Sequence, residues 1–147
     1  MSTNIQIEEK LKHIINFKGC FPINQIPKLN IKESVIINSD DDTEDGTHWM
    51  ALKIISKKTC LFFDSFGEPP NKSITNHLLQ QFRKMKVIYN SIQIQSIFSN
   101  KCGEFSMQFI CMVNDKKSFN KFISLFNHKN LLANDVITQN FTLTYLK

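Results

Sequence analysis

Four side chains in this chain of 147 residues carry the chemistry of a nucleophilic hydrolase: the thiol of Cys102, the imidazole of His48, the carboxylate of Asp64 and the carboxamide of Gln95. Hydrolysis by a thiol needs a nucleophile, a base to take its proton, an acceptor that orients the base, and donors for the oxyanion. Cys102 precedes Gly103 at the start of a predicted helix, after the turn-like run Phe98-Ser99-Asn100-Lys101. Sulfur at that place faces the positive end of the helix dipole, which favours thiolate over thiol. A glycine just behind it lets a substrate backbone come close. His48 would then be the base, Asp64 the orienting acceptor, and Gln95, seven residues before Cys102, a side-chain donor to the oxyanion beside the Cys102 amide. Each is ordinary when taken singly. A strand histidine is more often hydrogen-bonded in place than catalytic, Asp64 in Asp-Ser-Phe-Gly suits a turn, and Cys20, Cys60 and Cys111 read as core.

The elements that must bring these four together follow from periodicity. Apolar residues at Ile7, Leu11, Ile14 and Ile15 predict a helix over 7–17, stopped at Gly19. Residues 20–32, with Pro22 and Pro27, read as loop, and 34–38 as a short buried strand. The acidic run 39–46 reads as a solvated turn. Two β-like runs, 47–55 and 59–65, predict a hairpin. His48 and Asp64 share a face only if the connecting loop has an odd number of residues. A three-residue loop of Ser56, Lys57 and Lys58 sets Asp64 opposite Met50 and diagonal to His48, about 7–8 Å away. A helix over 74–85, a strand over 87–94, a buried helix over 102–113 and two closing helices over 119–126 and 131–141 complete an α+β domain spanning 1–147, with a few antiparallel strands under helices.

The order of these motifs resembles the adenovirus protease (adenain) family of cysteine endopeptidases, which extends to virophages and self-synthesising DNA transposons. The likeness rests on Gly46-Thr47-His48-Trp49-Met50-Ala51, then Cys60-Leu61-Phe62-Phe63-Asp64-Ser65-Phe66-Gly67, then Gln95 and Cys102-Gly103. It covers roughly residues 11–113. It implies a papain-like core with permuted segments, its small antiparallel or mixed sheet packed against helices. His48 matches the family's base, Asp64 its acidic member (a glutamate in the adenovirus enzymes), Gln95 its oxyanion donor and Cys102 its nucleophile. The implied activity is cleavage of capsid or virion precursor polypeptides after glycine or another small residue, in a narrow groove lined by Trp49 and Gly103. The same four residues would also serve a protease acting on ubiquitin-like modifiers, and a silent binding module of this fold is a further alternative. Disulfide-linked peptide activation is not expected, because the family's partner cysteine falls near Lys84 and no cysteine lies between Cys60 and Cys102. No cofactor or metal is expected to be required. Non-covalent activation by a peptide or by DNA stays open, the latter through lysines at 53, 57, 58, 72, 84 and 86.

Composition sets the outer limits. With 41% hydrophobic and 21% charged residues the chain can bury a core. Net charge is +5, almost all from lysine, and is spread along the chain, which suits a soluble surface better than a dedicated polyanion face. No window approaches the roughly 18 uncharged apolar residues of a membrane span. The charged first residues lack the apolar stretch of a secretory signal, so the four cysteines are expected as free thiols in a reducing compartment. The resemblance implies an infected cell and its virions as the setting, and no membrane association and a monomer are expected.

Overall fold

The computed structural model describes residues 2–40 and 48–147; Gly46, Thr47 and most of the acidic run 39–46 lie outside the described residues. Thr3 caps the first helix, α1 (Asn4–Leu11), in a reciprocal box with Gln6. That helix is shorter than the apolar stripe predicts. Asn16 takes a left-handed φ of 68°, Ile15 is left exposed, and the chain enters an edge strand, β1 (Phe17–Pro22), where a loop was expected. Pro22 ends it, as an edge position tolerates. Next come β2 (Ser34–Asn38), β3 (Trp49–Ile54), β4 (Thr59–Phe63), α2 (Lys72–Gln81), β5 (Lys86–Tyr89), α3 (Cys102–Met112), α4 (Lys116–Ser124) and α5 (Ala133–Tyr145).

The five strands form one sheet in the order β1-β2-β3-β4-β5. Its centre is antiparallel, but both outer pairs, β1 with β2 and β4 with β5, are parallel. Parallel neighbours require a crossover of about a dozen residues: residues 23–33 on one side, α2 and its flanks on the other. Ala51 pairs with Phe63 and Ile54 with Cys60. Continuing that register sets Met50 opposite Asp64 and leaves the three-residue loop 56–58, the odd number that the site requires.

Alternation along β3 and β4 divides the interior into two layers. Odd-numbered Trp49, Ala51, Leu61 and Phe63 face α3, α4 and a cluster of stacked and edge-on phenylalanines. Even-numbered Met50, Leu52, Ile54, Cys60 and Phe62 face Ile74 and Leu78 of α2. Lys53 falls on the α3 side, where its ammonium reaches the Val113 carbonyl at 2.9 Å, just past the C-terminal end of α3. A cation at the negative end of a helix is favourable. Burial there holds the Lys53 ammonium below its ordinary value, with the charge of Cys111 opposing. None of the helices in the described residues is long and apolar enough to cross a membrane.

Candidate active site

His48 stands one residue before β3, and Asp64 one residue after β4. Strict alternation would turn both towards α2, away from α3. Both have left the ladder, however, and beyond the last pair the pleat no longer dictates side-chain direction. His48 Nε2 meets Asp64 Oδ1 at 2.8 Å. A carboxylate only accepts, so the ring N–H donates. Cys102, in the first turn of α3, lies close enough to the same ring to act on its charge, and with Nε2 committed to Asp64 the nitrogen left to face the thiol is Nδ1. Burial pulls the imidazole pKa down, but the hydrogen bonds and charges of Asp64 and Cys102 outweigh it and raise it to about 9.

The Asp64 carboxylate is itself held from several sides. Its Oδ1 also accepts from the Phe66 N–H at 2.8 Å, and its carbonyl accepts from Gly67 N at 2.8 Å. Asn90, just past β5, donates to the Asp64 carbonyl at 2.7 Å and to the Ile92 carbonyl at 3.0 Å. The Phe66 ring lies against the His48 ring, centroids 4.8 Å apart. Gly67 closes this turn at a φ of +80°, and a Cβ there would come within 2.7 Å of the Ile92 backbone. Sequence reasoning placed no role on Asn90 or Phe66. Phe66 lies within the quoted Asp-Ser-Phe-Gly motif, but an asparagine at a strand end carries no signal by itself.

Cys102 opens α3, whose N-cap, Lys101, makes no side-chain capping bond. The first-turn amides therefore have no capping side chain to receive them, and a ligand oxygen can take that place. Trp49 and Gly103, expected to line a substrate groove, pack against the protein's own N-terminal segment. Trp49 is 6% exposed; its indole N–H donates to the Ser2 carbonyl at 3.0 Å. A Cβ added to Gly103 would meet Ser2 at 3.1 Å and Ile7 and Trp49 at 3.4 Å. The space beside Gly103 is thus filled by the protein's own N-terminal segment, and both residues seat α3 on the sheet. Ser2 Oγ also donates to Glu104 Oε1 at 2.6 Å.

Gln95 is buried, at 1% exposure. Its Nε2 donates to the Ser99 carbonyl at 3.0 Å and lies 3.3 Å from Ser99 Oγ. Its Oε1 accepts from Ser65 Oγ at 2.5 Å. Ser99 Oγ in turn accepts from the N–H of Lys101, next to Cys102, at 3.1 Å. The loop that carries the carboxamide is thereby tied to the start of α3. Cys20, Cys60 and Cys111 are free thiols away from this constellation; burial pushes Cys60 to about 12 and Cys111 to about 11. Among the described residues no group of three or more His, Cys, Asp and Glu side chains could hold a metal ion.

The sequence matches no family model and no curated protein. The fold does have solved counterparts. The ASFV pS273R protease superposes with a TM-score of 0.63 at 18% identity, covering 98% of this chain and 66% of that one. Its selenomethionine crystal form gives 0.58 at 18% identity, with 99% and 67% covered. The chain shares the fold of that protease. The chain spans about two thirds of that enzyme's length. The central domain of the uncharacterized Lpg1148 protein of Legionella pneumophila is also similar, with a TM-score of 0.55 at 12% identity over 98% of this chain and 94% of that one.

Proposed function

We propose that the protein is a cysteine endopeptidase of adenain type, with Cys102 as nucleophile, His48 as base and acid, Asp64 as orienting carboxylate, and Gln95 with the Cys102 amide as oxyanion donors. The observation that carries this reading is one imidazole bonded to a buried carboxylate, at 2.8 Å, and electrostatically coupled to a thiol at a helix N-terminus. Cys102 gives its proton to His48 and attacks the scissile carbonyl. The oxyanion takes the uncapped first-turn amide and the Gln95 N–H. His48 then protonates the leaving amine, and water, deprotonated by the same ring, hydrolyses the thioester. The side chains and water suffice for this cycle.

The substrate we assign is a capsid or virion precursor polypeptide, cut after glycine or another small residue, in an infected cell or assembling particle. Near-complete burial of Cys102 supports the preference, because a residue without a bulky side chain brings its carbonyl closest to a recessed sulfur. The protein would work as a monomer. An activating peptide, if one is used, has an apolar recess of about 220 Å³ between α2 and β5, lined by Leu78, Leu79, Met85 and Val87. DNA would use the surface lysines, with an affinity that falls as salt rises. Co-expression of the protein, or of Cys102→Ala, with the capsid precursor tests the assignment. Cleavage by the first and none by the second is expected; equal cleavage by both overturns it.

A further inference from the structure

Ser65 follows Asp64 directly, is fully buried, and grips Gln95 twice. Its carbonyl accepts the Gln95 backbone N–H at 2.9 Å, beside that of Ile94 at 2.8 Å. Its hydroxyl reaches Gln95 Oε1 at 2.5 Å. The two ends of a carboxamide have nearly the same shape, so its direction depends on its partners. Here the partners decide it. The Ser99 carbonyl can only accept, which requires the Nε2 end on that side. The hydroxyl of Ser65 must then donate to Oε1. One N–H of Nε2 goes to the Ser99 carbonyl. The other has only the 3.3 Å contact to Ser99 Oγ, an atom that already donates to Asp135 and accepts from Lys101. That second N–H holds the longer bond and is the one that can exchange it for an oxyanion.

We propose that Ser65 is the positioning residue of the oxyanion donor, anchoring Gln95 Oε1 so that the amide presents N–H, and not C=O, to the developing charge. The inference rests on the reading of Gln95 given above. Without the hydroxyl, Oε1 is a buried acceptor with no partner, a state costly enough for the amide to swing away. A carbonyl turned towards the oxyanion would repel it. Because Ser65 adjoins Asp64, a single dipeptide would set both the base's orientation and the oxyanion donor's.

A double-mutant cycle tests this. Removing one oxyanion donor costs about 10²–10³ in kcat, the loss expected of Gln95→Ala. Ser65→Ala, which leaves the donor present but unaligned, should lower kcat about tenfold or more, with KM nearly unchanged, and Ser65→Thr should recover most of it. In the Gln95→Ala background, Ser65→Ala should change kcat less than about twofold. Alkylation of Cys102 by iodoacetamide, which needs no oxyanion donor, should proceed at the wild-type rate in both single variants. A wild-type kcat in Ser65→Ala, an equal drop in both backgrounds, or slowed alkylation overturns the proposal. If Gln95→Ala itself keeps full kcat, the oxyanion reading fails instead. Independently of turnover, the ¹⁵N-edited side-chain NH₂ signals of Gln95 should shift in Ser65→Ala and return in Ser65→Thr. Signals that stay in place overturn the anchoring.

Discussion

His48 is pulled two ways. Its burial disfavours the charged ring, while Asp64 and Cys102 hold the proton on it up to about pH 9. The alkaline limb of kcat/KM should therefore fall near pH 9, where the ring ceases to be an acid for the leaving amine. A pH-rate profile measured on a peptide with glycine before the cut checks this, and a limb near the unperturbed 6.5 would contradict it. Asp64→Asn keeps the shape of the side chain but no longer favours the charged imidazole. We expect kcat to drop by about 10²–10⁴ with the fold intact, by analogy with loss of the orienting carboxylate in other triads. The alkaline limb should move to lower pH in the same variant, since a source of the upward shift is gone.

At the scale of elements, the turn after β4 is the joint on which the site depends. Gly67→Ala would force a side chain into a left-handed backbone, at a cost of about 1–2 kcal/mol. It would also set a Cβ against the Ile92 backbone. Denaturant unfolding should show a loss of at least that size, with a fall in activity as Asp64 and Gln95 part. The hairpin, the β2 strand and the helix α3 were legible in sequence, because each carries a strong apolar pattern and the odd loop 56–58 obeys a parity that can be counted. The edge strand β1 was not. Its six residues, Phe-Lys-Gly-Cys-Phe-Pro, look like punctuation, and only pairing with β2 makes them a strand. The run 87–94 read as one strand, yet pairing stops at Tyr89. Asn90 and the residues after it turn instead to hold Asp64 and Gln95, contacts that no local pattern announces. Trp49 read as a wall of the groove because it is an aromatic beside a catalytic candidate; its bond to the Ser2 carbonyl is a contact of distant residues that no local pattern announces.

Over the whole molecule, the two apolar layers bear unequally on the site. The phenylalanine cluster on the α3 side supports the helix that bears Cys102 directly, with Phe122 touching Phe63, Phe109 and Phe126. Phe122→Ala should cost about 3–5 kcal/mol in urea or thermal unfolding. Stability should also respond to pH. His48 has a folded pKa raised above 6.5, so its contribution is complete below pH 6.5 and is lost as pH rises through about 9. Buried Cys60 and Cys111, raised from 9.0, continue the downward slope above pH 9. The difference in Tm between wild type and His48→Ala should therefore shrink between pH 6.5 and 9; a constant gap would contradict the shift. Finally, Ser2 is wedged against Gly103, Trp49 and Glu104, whereas Lys147 is exposed. A bulky side chain in place of Ser2 would lever on the helix that bears Cys102, so damage done at residue 2 would be felt at residue 102.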